Sequence, residues 1–98
     1  MNPPNPHTRL KIVQRPDYRE DYANSVQVRP STWDFFLQFG RLVQNQPDEV
    51  EMHMFQGIYL SPQQAKAVLS LLRSHMESYE KAFGEVQLAP LQPPGAVQ

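Results

Sequence analysis

One stretch constrains this chain more than any other: "YLSPQQAKAVLSLLRSHMESYEKAFGEV", Tyr59 to Val86. It holds a start signal, an apolar stripe and a stop signal in order. Ser61 is a good N-cap, because its hydroxyl can accept a bond from a first-turn N–H. Pro62 suits the first helical position, where its missing N–H costs nothing, and Gln64 completes a capping-box spacing. Ala65, Val68, Leu69, Leu72, Met76, Tyr79 and Phe83 recur at three- and four-residue steps and form one stripe. Gln63, Lys66, Ser70, Arg73, Ser74, Glu77 and Lys81 fall mainly elsewhere, with Glu77 and Lys81 an i,i+4 pair in the favourable order. Gly84 is a natural C′ residue. The spacing predicts a helix of about 22 residues, or ~33 Å. That is longer than three hydrogen-bonded strands are wide, so the turns around Tyr79 and Phe83 should run past the subunit's own sheet and need a partner.

What can fold around that helix is limited by proline. Seven of the ten prolines lie in the two ends: Pro3, Pro4, Pro6 and Pro16 at the start, and Pro90, Pro93 and Pro94 at the finish. Residues 1–19 read as a flexible tail, 20–86 as one folded domain, and 87–98 as a disordered Pro-rich tail. "LKIV", Leu10 to Val13, is the one apolar patch of the first tail. A folded part of roughly 65 residues buries only ~60% of the surface its unfolded chain exposes and is marginal alone. There is no cysteine, hence no disulfide staple and no Cys-based zinc site. Oligomerisation is the remaining common route to stability.

The rest of the domain reads as extended. "NSVQVRP" alternates Val26 and Val28 against Ser25, Gln27 and Arg29. "TWDFFLQFGRLV", Thr32 to Val43, reads two ways. As a strand it places Trp33, Phe35, Leu37 and Phe39 on one face; as a helix it gathers Phe35, Phe36, Phe39, Leu42 and Val43. Aromatic content, shortness and the flanking Pro30 and Gly40 favour the strand. "QNQPDE" is a polar turn. In "VEMHMFQGIYL", Val50, Met52, Met54, Ile58 and Leu60 share one parity, and Glu51, His53, Phe55, Gly57 and Tyr59 share the other. The expected fold is α+β: a small three-stranded antiparallel sheet with one long C-terminal helix on one face, in a dimer.

Sites for chemistry are sparse. His7, His53 and His75 are far apart, and Glu51 with His53 lacks a third ligand at recognisable spacing. No metal and no cofactor is expected. The serines have uses as turn, cap or solvated positions, no G-x-S-x-G occurs, and the four glycines form no phosphate loop. An enzyme is not expected. Nine Lys+Arg against ten Asp+Glu give a net charge of -1, which offers no general attraction to nucleic acid or anionic membrane. Arg9, Lys11, Arg15 and Arg19 could still touch phosphates, so a nucleic-acid-binding accessory protein is the second reading. No run approaches the ~20 apolar residues of a membrane span. The first residues lack the apolar core of a signal peptide, and the cytoplasm is the expected compartment.

The residues that point somewhere are aromatic. If the helix covers one face, Phe36, Phe55 and Tyr59 should lie on the other, with Gly57 between two of them. Exposing them is costly, and a glycine there would let another chain approach closely. Together with Tyr79, Glu80 and Phe83 they form the expected interface. Tyr79 joins an apolar body to a polar tip, as suits a boundary. Glu80 sits against the helix dipole and should have a specific partner, such as Lys66 or an arginine of a second subunit. The role expected on this reading is a small oligomeric interaction module, an adaptor or assembly component, that binds a further, unidentified protein.

The chain resembles a family of short bacterial and archaeal proteins grouped as a domain of unknown function. The residues carrying the resemblance are Tyr22, Ala23 and Asn24; Phe35, Phe39 and Gly40; Ser61, Pro62, Ala65 and Lys66; Leu71 and Leu72; and Tyr79, Glu80, Phe83 and Gly84. It spans about Tyr22 to Val86. It implies a strand-strand-strand-helix order and carries no activity.

Overall fold

A computed structural model describes residues 7–88 of the chain. Three strands and one helix follow in order: β1 (Ser25–Pro30), β2 (Phe35–Gln46), β3 (Glu49–Leu60) and α1 (Pro62–Phe83). The strands form one antiparallel sheet in the order β1-β2-β3. The α+β class, the strand reading of "DFFLQFG" and the C-terminal helix all stand. Residues 1–6 and the Pro-rich end, 89–98, lie outside the described residues.

Local chemistry explains each boundary. Between β1 and β2 the Ser31 hydroxyl oxygen accepts from the amides of Trp33 and Asp34, and the Ser31 amide donates to the Asp34 carbonyl. This Ser-centred turn takes Trp33 out of the strand. Its side chain is 82% exposed at the turn and does not join Phe35, Leu37 and Phe39 on their face. Between β2 and β3 the reversal takes only Pro47 and Asp48; the strands run further into "QNQPDE" than a six-residue turn would allow. Ser61 caps α1 as read, its side chain accepting from the Gln64 amide, with Pro62 following. Gly84 ends the helix at φ 97°, a conformation costly for any residue with a Cβ.

Two irregularities decide which side chains share a face. Phe39 pairs with Gln56, but Gly40 pairs with Met54, so Phe55 is an extra residue in β3. Near the turn Asn45 is extra in β2. Such a bulge shifts side-chain alternation by one. Val50, Met52 and Met54 therefore lie on the face of Gly57 and Tyr59, not with Ile58 and Leu60. The strict alternation expected through β3 breaks at Phe55. Gly40 is the residue that makes room: a Cβ there would meet the His53 carbonyl oxygen at 2.8 Å and the Met52 side chain at 3.1 Å.

The register yields two unlike faces. One carries the cross-strand rows Arg29–Phe36–Tyr59, Gln27–Gln38–Gly57 and Ser25–Gly40–Met54. The other carries Pro30–Phe35–Leu60, Val28–Leu37–Ile58 and Val26–Phe39–Gln56. The second is apolar over almost all of these rows and turns polar only toward Arg41, His53 and Glu51.

The helix was expected to lie on one face of the sheet. Within one chain it does not bury its stripe: no residue of α1 is buried, and Ala65 and Val68 of its first turns are the only stripe positions even half-buried. Leu72 stays 61% exposed and Phe83 76%. Among the described residues no hydrophobic side chain is buried at all. The radius of gyration, 17.0 Å, exceeds the about 13 Å of a compact chain this long.

Candidate functional site

The residues expected to form an interface fall into three separate places. Phe36 and Tyr59 are directly paired and stack, with centroids 4.3 Å apart and 22° between planes. The Arg29 guanidinium lies 5.0 Å from the Phe36 centroid on the other side of the row. A planar cation beside an aromatic face is attracted by its quadrupole. Gly57 serves this cluster from within. A Cβ there would sit 2.9 Å from the Phe36 ring. The ring thus fills the space over the glycine, and the close approach expected of another chain is made by Phe36 itself.

Phe55 does not join that cluster. As the extra residue of the bulge it lines, with Phe39 and Gln56, a shallow hollow edged by Arg19, Asp21 and Ala23. The chain before β1 is pinned beside it. The Arg41 Nε donates to the Tyr22 carbonyl at 2.9 Å, its Nη2 pairs with Asp21 at 3.1 Å, and the Asn24 side chain accepts from the Leu42 amide at 2.8 Å. Thus "YAN" works as an anchor for the start of β1. The "LKIV" patch pairs with no strand, and Leu10, Ile12 and Val13 are exposed.

The third place is the end of α1. Tyr79 and Phe83 touch, with centroids 4.9 Å apart at a 46° tilt, and both are exposed. Glu80 has a partner different from the one expected. Its carboxylate accepts from the Val86 amide at 2.8 Å, while its carbonyl accepts from the Gly84 amide. The carboxylate folds over the helix end and holds the chain beyond it. This offsets an acid's unfavourable position near a C-terminus, with no need for Lys66 or a second subunit's arginine.

Several of the polar residues weighed for other chemistry are engaged locally. Glu51 Oε1 lies 2.8 Å from His53 Nε2 and accepts from Asn45 at 2.6 Å. No group of three metal-capable side chains occurs among the described residues. Arg15 of the basic arm pairs with Asp17 at 3.0 Å. Exposed Tyr18 donates to Glu20 at 2.8 Å, and that bond, more than desolvation, holds its phenol above the ordinary value. No described helix is long and apolar enough to cross a membrane.

What the strand-by-strand reading left open is how the apolar residues of the three strands join. Val26, Val28, Phe35, Leu37, Phe39, Ile58 and Leu60 form one patch only once three strands are in register. The alternation in β1 and β2 was its visible trace.

Residues 2–88 match the family described as protein of unknown function DUF3467. The chain belongs to DUF3467. No curated protein and no solved structure matches it. Membership of DUF3467 brings no ligand or activity with it, so the function of this member is argued from its surfaces.

Proposed function

We propose that this DUF3467 protein is a self-associating interaction module, a small adaptor or assembly component rather than a catalyst, and that its basic form is a homodimer. One observation carries the reading: a 22-residue helix and a three-stranded sheet are formed, yet among the described residues no hydrophobic side chain is buried. Isolated sheets of this size need an apolar face packed against something to be stable, and a helix draws most of its stability from packing its stripe. Phe83 and Tyr79, with Leu72 and Met76, offer such a stripe. In obligate homodimers folding and association are one event. A second copy supplies the missing core, and the tails and the exposed Trp33 turn remain to meet a further protein.

Light scattering coupled to size-exclusion chromatography tests this directly. The expected result is twice the chain mass of 11.3 kDa down to low micromolar concentration, with a melting temperature that rises with concentration. Phe83→Ala should lower the concentration-dependent stability. A folded monomer with a concentration-independent melting temperature would reject the reading.

A further inference from the structure

We infer that α1 is exchanged between two copies, the helix of each chain lying across the Val28–Leu37–Ile58 face of the other. The inference rests on the self-association reading and gives it a geometry. The junction argues for it first. A single residue, Ser61, separates Leu60 at the end of β3 from Pro62 at the start of α1. A residue before proline is kept out of the α region, and Ser61 is extended at φ -61°, ψ 154°. Connections that bring a helix back over its own strands usually take ~2–6 residues. Here there is no such slack, and beyond Val68 the helix leaves its stripe uncovered.

The uncovered helix stripe and the half-buried sheet face also match each other. The 22-residue helix is about 33 Å long, and a 12-residue strand spans about 40 Å. Leu69, Leu72 and Met76 carry no charge, and neither do Val28, Leu37 and Ile58. A helix footprint ~10 Å wide, counted on both surfaces and for both helices, buries on the order of 1,300 Å², enough for a stable specific interface. A foreign partner would have to cover a sheet face and a separate helix stripe. A second copy brings one of each, and two-fold symmetry closes the set with nothing left over.

The absence of native cysteine makes a clean test. Two doubly substituted chains are made, Val28→Cys with Leu72→Cys and Leu37→Cys with Met76→Cys, and oxidised mildly. Exchange predicts a covalent dimer of doubled mass on a non-reducing gel for at least one pair. A covalent monomer would overturn exchange, because the helix would then lie on its own sheet. A native dimer with no disulfide from either pair also overturns it, while leaving self-association standing; a native monomer overturns both. On the unsubstituted protein, a mixture of isotope-labelled and unlabelled chains should give interchain NOEs from Leu72 and Met76 methyls to Val28 and Leu37. Their confinement to single chains would refute exchange without any cysteine.

Discussion

The two faces of the sheet share every strand yet solve burial differently. On one, side chains engage one another in pairs, although Tyr59 stays 66% exposed: Arg29 sits over Phe36, Phe36 stacks on Tyr59 and lies close against Gly57, and the buried Ser25 hydroxyl donates to Met52 Sδ at 3.6 Å. On the other, Val28, Leu37 and Ile58 stand in a row, with Ile58 41% exposed. A mixed face of aromatic, polar and thioether side chains can be organised by pairwise contacts between neighbours. An aliphatic face cannot, because its stabilisation scales with the area taken from water and needs a whole covering surface. The difference separates a face organised by side-chain pairs from one whose stabilisation depends on aliphatic area.

Adjacent residues on β2 give the sharpest way to break this contrast. Leu37→Asp puts a charge into the face expected to be covered and should cost more than about 3 kcal/mol, abolishing the dimer or the fold. Gln38→Asp, one position along and on the face of paired contacts, should change stability by no more than about 0.5 kcal/mol. Light scattering and denaturant titration read both; equal effects would erase the distinction between the faces. Gly40→Ala comes next. Its Cβ would collide with the His53 carbonyl oxygen, and a loss of about 1–3 kcal/mol in urea unfolding is expected. A neutral result would mean that the bulge at Phe55 is not held by that close approach.

Phe36→Ala tests the paired face. It removes the stack on Tyr59 and the close contact with Gly57, and a double-mutant cycle with Tyr59→Ala should give a coupling of roughly 0.5–1.5 kcal/mol. The dimer should survive, since these residues are not in the exchanged interface. The smallest expected effect is Glu80→Ala. Losing a partly exposed bond to the Val86 amide should cost about 1 kcal/mol or less, and hydrogen exchange at Val86 should quicken. An unchanged rate there would remove the capping role.

Much of the architecture was legible because its causes are local. Ser61, Pro62 and Gly84 mark the helix by capping and by glycine's tolerance of positive φ. Val26 and Val28 against Gln27, and Phe35, Leu37 and Phe39 against Gln38, mark two strands by period. Trp33 was misplaced because one hydroxyl, that of Ser31, draws the chain into a turn inside an apparent run of alternation. The aromatic grouping was right for Phe36 with Tyr59 and missed for Phe55, because alternation counts residues along one strand while a bulge arises between two. Glu80 was recognised as needing a partner. That partner is a backbone amide six residues on, and no side-chain pattern could show it.

By itself the sequence determined the order of strands and helix, where the helix begins and ends, which stripe of the helix is apolar, and that a cysteine-free domain of this size lacks a staple. These rest on interactions within a few residues. The tertiary structure alone decided the register that assembles seven scattered apolar residues into one face, the bulge at Gly40 that turns Met52 and Met54 toward Tyr59, and the direction in which α1 leaves Leu60. Each depends on backbone contacts between residues more than ten positions apart, or on the path of the chain through space, and neither is written in local periodicity.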